Sequence, residues 1–317
     1  MKILFIGYSN LIKKRIFPVL KDLPGIDTVC IAKYALQSWD DEYKQIEQHV
    51  ELYDDYASAI EFSKADLAYI STTNNSHFEL AKSTLNANMH TVIDKPATLL
   101  LNETEELVDT AKQKNLLLSE SVVYLYHPQL VLIKSLFENE KTEPKRLTVM
   151  FSFPPLNPDN FRYKKELGGG AFFDTGAYAA SIGRYFFNSQ VEKAYFIENE
   201  SREDGLDLSY SLLLKYPEGK SVTGHFGFTT EYINRLNILS EKMNIDVDRI
   251  FTIPENIENV IRVCSNNKSY EVMAKTGNTF KIYLEHILES IGNNEFNHLY
   301  SAMLSDAVTR DIIIKSK

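Results

Sequence analysis

Lys2-Ile3-Leu4-Phe5-Ile6-Gly7-Tyr8-Ser9-Asn10-Leu11-Ile12 opens the chain with a short apolar run, a glycine, and a step into a helical pattern. An unbroken apolar run of this length suits a parallel strand covered on both faces. The same texture returns at 28–32, 67–71, 91–93 and 116–119. Helical patterns fall between these runs. Ser76-His77-Phe78-Glu79 has capping-box spacing, and Asn102-Glu103-Thr104-Glu105 offers a second helix start. The alternation predicts a doubly wound α/β domain over 1–119.

Beyond residue 120 the texture changes. His127-Pro128-Gln129 reads as a helix start, with proline at the first helical position. Segments at 146–153, 193–198, 207–216, 221–229, 235–240, 244–251, 259–264 and 269–273 follow, several of them alternating polar and apolar residues. That period suits a largely antiparallel sheet with one wet face. A stripe of Phe280, Tyr283, Leu284, Ile287, Leu288 and Ile291 marks a helix, and 295–316 marks another. A second domain is therefore expected over 120–317.

The 317 residues are 44% hydrophobic and 24% charged, which excludes disorder as the main state. Lys plus Arg number 34 against 43 Asp plus Glu, a net charge of −9. So acidic a chain is a poor partner for nucleic acid, although a local cationic pocket for one phosphorylated ligand stays open. Cys30 and Cys264 sit far apart in strand-like runs and are expected to be buried reduced thiols in a cytoplasmic protein. There is no Cys/His cluster to hold a metal, no signal-peptide pattern and no apolar run long enough to span a membrane.

Chemistry-bearing residues gather at the carboxyl ends of the first domain's strands, the edge along which open α/β sheets bind ligands. Gly7, Ser9, Asn10 and Leu11 stand where a dinucleotide's pyrophosphate meets a helix start, although a single glycine there is equally a plain turn. Ala32-Lys33-Tyr34 ends the second strand without a carboxylate, so Lys33 could meet a 2′-phosphate. Ser71, Thr72, Asn74 and His77 form a polar cluster that also reads as a loop and cap. In Asp94-Lys95-Pro96, the lysine could donate a proton or polarise a carbonyl. In the second domain, Leu167-Gly168-Gly169-Gly170-Ala171-Phe172-Phe173-Asp174-Thr175-Gly176-Ala177-Tyr178 is the strongest local signal. On a helix, Asp174 and Tyr178 share one face.

Together these blocks resemble the Gfo/Idh/MocA oxidoreductase family over essentially the whole chain. Asp94-Lys95-Pro96 is similar to that family's Glu-Lys-Pro motif, with Asp for Glu. Thr72-Thr73-Asn74 with His77 is similar to its Thr-Pro-Asn and His motif, and Gly168 to Tyr178 resembles its Gly-Gly-Gly to Asp-x-Gly-x-His segment. Within the family the likeness is to nucleotide-sugar 3-ketoreductases. They resemble this chain in the single-glycine opening with Lys14-Arg15 and Pro18, and in Phe153-Pro154-Pro155 and Asn160-Phe161-Arg162-Tyr163. Tyr232-Ile233-Asn234-Arg235, Asp248-Arg249-Ile250-Phe251-Thr252 and a tyrosine at the Tyr178 position extend the match.

The resemblance implies an N-terminal Rossmann dinucleotide-binding domain and a C-terminal α/β domain with a large, mostly antiparallel open sheet. It implies NADP(H) rather than NAD(H), bound by Gly7, Ser9, Asn10, Leu11, Lys33, Ser71, Thr72, Asn74, His77, Asp94 and Lys95. It implies hydride transfer to or from a sugar carbon, with Lys95 and Tyr178 handling the proton and Asp174 orienting the substrate. Arg162, Tyr163, Asp174, Tyr178 and Arg235 are the substrate-binding candidates, the two arginines for an anionic end. A homodimer or homotetramer is expected. The alternatives are a dehydrogenase of a free sugar or cyclitol and a non-enzymatic NADP-binding sensor.

Overall fold

Six strands, β1 (Lys2–Ile6), β2 (Thr28–Ala32), β3 (His49–Tyr53), β4 (Leu67–Ile70), β5 (His90–Ile93) and β6 (Leu118–Glu120), line up as β3-β2-β1-β4-β5-β6 in a computed structural model of the chain. The structure describes residues 1–34 and 36–317. Every pairing in this sheet is parallel. β1 and β4 are buried along almost their whole length, as strands covered on both faces must be. The strand order reverses between β1 and β4, which opens a crevice at their carboxyl ends. The edge strand β3 has no apolar run to announce it. Its Glu51 faces Lys2 at 2.8 Å and accepts from Tyr53 at 3.0 Å, so its pattern is mixed. Beside the sheet run α1 (Phe17–Leu20), α2 (Tyr56–Phe62), α3 (His77–Asn86) and α4 (Leu101–Lys114).

The two expected caps form differently. Ser76 donates to the Thr73 carbonyl at 2.7 Å and ends a short turn, Asn74–Ser76, before α3 begins. Glu103 reaches back from α4 to the backbone N–H groups of Leu99 and Leu100, both at 3.1 Å. The orphan donors are thus met by an acid inside the first turn.

The second sheet has the order β14-β13-β12-β11-β7-β10-β9-β8. Its strands are β7 (Arg146–Ser152), β8 (Lys193–Ser201), β9 (Asp207–Lys215), β10 (Ser221–Gly227), β11 (Ile233–Leu239), β12 (Met243–Asp248), β13 (Asn259–Ser265) and β14 (Lys268–Ala274). β7 and β10 pair in parallel and the other neighbours are antiparallel. One face carries Val149, Leu214, Phe226, Leu236, Ile245 and Ile261 into a core with α6 (Ala171–Phe187). The other face presents Tyr195, Ile197, Leu213 and Leu239 to the exterior among paired charges. Cys264 lies on that open face and is exposed, against the expectation of burial, because it alternates with the buried Val263. Cys30 is buried as expected.

Two compact units result: Met1–Ser121 with Phe280–Leu304, and Val122–Thr279 with Ser305–Lys317. A cut at 119/120 lacks the return of α7 (Thr279–Asn293) and of the start of α8 (Asn297–Ile314) to the first unit. Side chains explain the return. Tyr283 donates to Ser119 at 2.8 Å, Tyr300 donates to the Leu116 carbonyl, and Asn115 bonds Asn294 at 2.9 Å. The later part of α8 serves the second unit, where Asp306 takes a bidentate pair from Arg184 at 2.7 and 2.8 Å.

Candidate active site

At the end of β1 the backbone turns through Gly7 at φ 104°, and its N–H donates to the Ala32 carbonyl at 2.9 Å. A Cβ at this position would lie 2.2 Å from the Ser71 carbonyl oxygen, so only glycine fits between β1 and β4. Ser9 follows. Its Oγ accepts from the Ile12 N–H at 3.2 Å and lies 2.8 Å from Ser71 Oγ, capping the first helix and tying it to β4. Asn10 is exposed and Leu11 partly so.

Asp94 gathers three hydroxyls: Tyr69 at 2.8 Å, Ser121 at 3.0 Å, and Ser71. Burial and then the Asp94 charge hold the Tyr69 phenol well above its ordinary range, so it stays a donor. Lys95 follows, half-buried, joined to Pro96 by a cis peptide bond. The fully buried His77 places Nδ1 2.8 Å from the Pro96 carbonyl and Nε2 3.3 Å from that of Thr72. Burial lowers the pKa of His77, and a neutral ring carries one N–H, assigned here to the shorter contact. The Ala97 N–H donates to the buried Glu120 at 2.9 Å. Asp94 and His77 were expected to touch cofactor. In the structure Asp94 is engaged by hydroxyls at the ends of β4 and β6, His77 by the loop carbonyls of Pro96 and Thr72, and both brace the loop that presents Lys95. Thr72 Oγ1 and Ser76 Oγ meet at 2.7 Å, and Asn74 is buried in the turn beside them.

Lys33, expected to meet a 2′-phosphate, is engaged within the chain. It is 5% exposed, with Nζ 2.9 Å from Asp54 and 5.5 Å from the Trp39 ring centre. The indole N–H of Trp39 donates to the same carboxylate at 3.0 Å. A carboxylate therefore does stand at the end of β2. It arrives from the end of β3, the strand that no apolar run revealed, and Lys33 with Trp39 holds its pKa below the ordinary value.

In the second unit the glycine block does the positioning. The Gly170 N–H donates to the Arg162 carbonyl at 2.8 Å, and a Cβ on Gly169 would stand 2.6 Å from that oxygen. Asp207 then caps α6 by accepting from the Phe172 N–H at 2.6 Å. On α6, Asp174 and Tyr178 lie on one face, as the spacing predicts. Arg162 Nε is 2.8 Å from Asp174 Oδ2. Burial works against the guanidinium's charge and Asp174 more than restores it, so its pKa is raised. The Tyr178 ring packs against Phe251 at 4.7 Å, Phe151 at 5.2 Å and Tyr124 at 5.6 Å.

The remaining substrate candidates separate. Tyr163 stays near Arg162, its hydroxyl accepting from the Leu156 N–H at 2.9 Å and its ring 5.4 Å from Phe228. Arg235 lies on the open face of the sheet and grips Asp246, with Nε to Oδ1 at 2.7 Å. Strand alternation places it opposite the face that α6 covers, so it does not join Arg162, Asp174 and Tyr178. Among the described residues no group of three or more His, Cys, Asp or Glu could hold a metal ion, and no helix is long and apolar enough to cross a membrane.

Comparison with known proteins bears on the family and the fold. Residues 1–122 match an oxidoreductase family with an NAD-binding Rossmann fold, and residues 136–246 match the GFO/IDH/MocA C-terminal domain. A dTDP-3,4-didehydro-2,6-dideoxy-alpha-D-glucose 3-reductase from Saccharopolyspora spinosa is 30% identical over 259 residues, covering 81% of this chain and 77% of that protein. The reductase of the same name from Actinomadura kijaniata is 24% identical over 318 residues, 97% of this chain and 95% of the relative. The crystal structure of a 3-ketoreductase from Actinomadura kijaniata in complex with NADP and TDP-benzene matches the fold with a TM-score of 0.92 at 20% identity, over 100% of this chain and 97% of that one. The chain belongs to the Gfo/Idh/MocA oxidoreductase family.

Proposed function

We propose that the protein is an NADP(H)-dependent reductase of a nucleotide-linked 3-keto sugar. One observation carries the reading. Lys95 and Tyr178, the proton-bearing motif residues, each stand on a braced support, in a chain 30% identical to a dTDP-sugar 3-reductase. A sensor that only bound cofactor would have no use for both.

The first unit fits the cofactor. Gly7 leaves bare backbone against Ser71, and the Ser9-capped helix start stands at the switch between β1 and β4. Gly7, Ser9, Asn10 and Leu11 would hold the pyrophosphate. Ser71, Thr72 and Asn74 would line the adjoining strand end, and Lys33 would meet the 2′-phosphate. Bound NADPH would supply a hydride.

The chain's own residues handle the proton. Lys95 and Tyr178 are the donors to the developing alkoxide oxygen, and a donor held in place beforehand lowers the barrier because it need not reorganise. Asp174 takes the sugar hydroxyls, and Arg162 holds Asp174 in place. The open face of the second sheet carries Tyr195, Ile197, Leu213 and Leu239, which supports assembly as a homodimer or homotetramer.

The test is consumption of NADPH, followed by absorbance, with a panel of nucleotide-linked and free keto sugars, and the reverse reaction with their alcohols. Turnover confined to nucleotide-linked 3-keto sugars is expected. Turnover of free sugars or cyclitols alone would make it a dehydrogenase of that class, and NADPH binding without turnover of any of them would leave a sensor.

A further inference from the structure

Most arginines of the second unit are already engaged. Arg162 pairs with Asp174, Arg184 with Asp306, Arg202 with Asp204, Arg235 with Asp246 and Arg262 with Asp248. Arg146 donates to the carbonyls of Lys145 and Gly219. Among the described residues Arg249 has no ion pair and no side-chain hydrogen bond. Its guanidinium lies 5.8 Å from the centre of the exposed Tyr232 ring. Its backbone has φ 54°, a conformation that non-glycine residues rarely adopt.

That conformation is fixed by Asn234, which is buried. The Asn234 carbonyl accepts from the Arg249 N–H at 2.5 Å, and its side-chain oxygen accepts from the Phe251 N–H at 3.1 Å. Its amide donates to Thr252 Oγ1 at 2.9 Å, and Thr252 Oγ1 lies 3.3 Å from the Tyr232 hydroxyl. One buried residue thus holds Arg249 through its backbone carbonyl, and Tyr232 and Thr252 through its side-chain amide. Arg249 stands two positions before Phe251 and Thr252 directly after it, and the Phe251 ring packs against Tyr178. An exposed arginine held in strained backbone beside a flat aromatic ring, without an acid to neutralise it, suits an anion from outside the chain.

We propose that Arg249, flanked by Tyr232 and Thr252, binds the diphosphate of the sugar-nucleotide substrate, the task first expected of Arg235. This rests on the reading above that the substrate is nucleotide-linked. The spacing is consistent with it. A sugar ring separates the reacting carbon from the anomeric phosphate, and one residue, Ile250, stands between Arg249 and Phe251, whose ring contacts Tyr178.

The experiment is calorimetric titration of the full chain, saturated with NADP⁺, with dTDP and with UDP. Saturation keeps these probes out of the dinucleotide site. Arg249→Asn removes the guanidinium and tolerates the positive φ, and Arg249→Gly is a second variant of the same kind should the first unfold. Loss of a charged hydrogen bond predicts about tenfold or greater weakening in either variant, with Arg249→Lys in between and the thermal midpoint unchanged. Binding of dTDP and UDP with the same affinity to the unmutated protein and to both variants would overturn the subsite and leave the sugar-nucleotide reading standing. No binding of either diphosphate to the unmutated protein would overturn that reading, and this inference with it.

Discussion

The parallel sheet of the first unit buries both faces and leaves only strand ends for chemistry, whereas the second unit's sheet covers one face and leaves the other wet. In the first unit a residue's role follows from how near it stands to a strand's carboxyl end. In the second it follows from which side of a strand it occupies. Arg162 and Arg235 are both arginines in motif-like blocks, yet one meets Asp174 on α6 and the other meets Asp246 on the opposite face.

The largest test of this contrast removes the chemistry from each unit in turn. Removing a prepositioned donor typically costs about 10²–10³ in turnover. Lys95→Ala also deletes a charge, so it should cost more than Tyr178→Phe. If both groups serve one proton transfer, the double variant will fall well short of the product of the single losses. Unchanged turnover in both single variants would remove the proton role from this pair.

Within the second unit, Arg162→Gln set against Arg235→Gln asks whether the side of the sheet decides function. Arg162→Gln leaves the buried Asp174 without its ion pair. A loss of about 10- to 100-fold is expected, from the energy of a charged hydrogen bond. It should appear in kcat more than in KM, with a displaced pH profile and partial rescue by Arg162→Lys. Arg235→Gln should leave turnover within about twofold, as an exposed ion pair is worth little. Equal losses in the two variants would defeat the distinction.

In the first unit the comparable question lies at the end of β2. Asp54 occupies Lys33, so the Asp54→Asn variant frees the lysine and should favour NADPH over NADH by up to about tenfold, while Lys33→Ala should erode that preference. Dissociation constants of both cofactors for the three proteins decide it. Unchanged ratios would place the discriminating contact elsewhere.

How far the sequence was legible follows from the same contrast. Apolar runs and period-two alternation located most strands because those patterns are set by burial, which the strand's own residues record. β3 escaped because an edge strand with Glu51 facing Lys2 has no such run. Glycine spacing located the support for α6, and helical spacing placed Asp174 with Tyr178. Pairings across the fold were not legible. That Lys33 would meet Asp54, that His77 would brace Pro96, and that α7 would return to the first unit depend on residues distant in sequence. The face that Arg235 takes was not legible either, because a motif block names residues without saying which side of the strand each occupies.

The smallest expected effect concerns stability, and it treats the units alike. Each hides a histidine from water: His77 beneath the Lys95 loop, and His127 at the start of α5 (Pro128–Asn139), where its Nδ1 accepts from the Gln129 N–H at 3.2 Å. Burial lowers the pKa of both, that of His127 to about 4. In the unfolded chain each titrates near 6.5. Below that value the unfolded state takes up a proton that the folded state refuses, so stability is intact above about 6.5 and declines as pH falls toward the folded values. Each such proton contributes a slope of at most about 1.4 kcal/mol per pH unit. Urea unfolding at about pH 7.5 and about pH 5 should therefore show a loss of stability. His127→Asn keeps a capping oxygen at the helix start while removing the titration, so it should flatten part of that loss. A pH dependence identical in the His127→Asn variant would mean that the ring reaches solvent and is protonated in place, and the buried neutral cap would have to be abandoned.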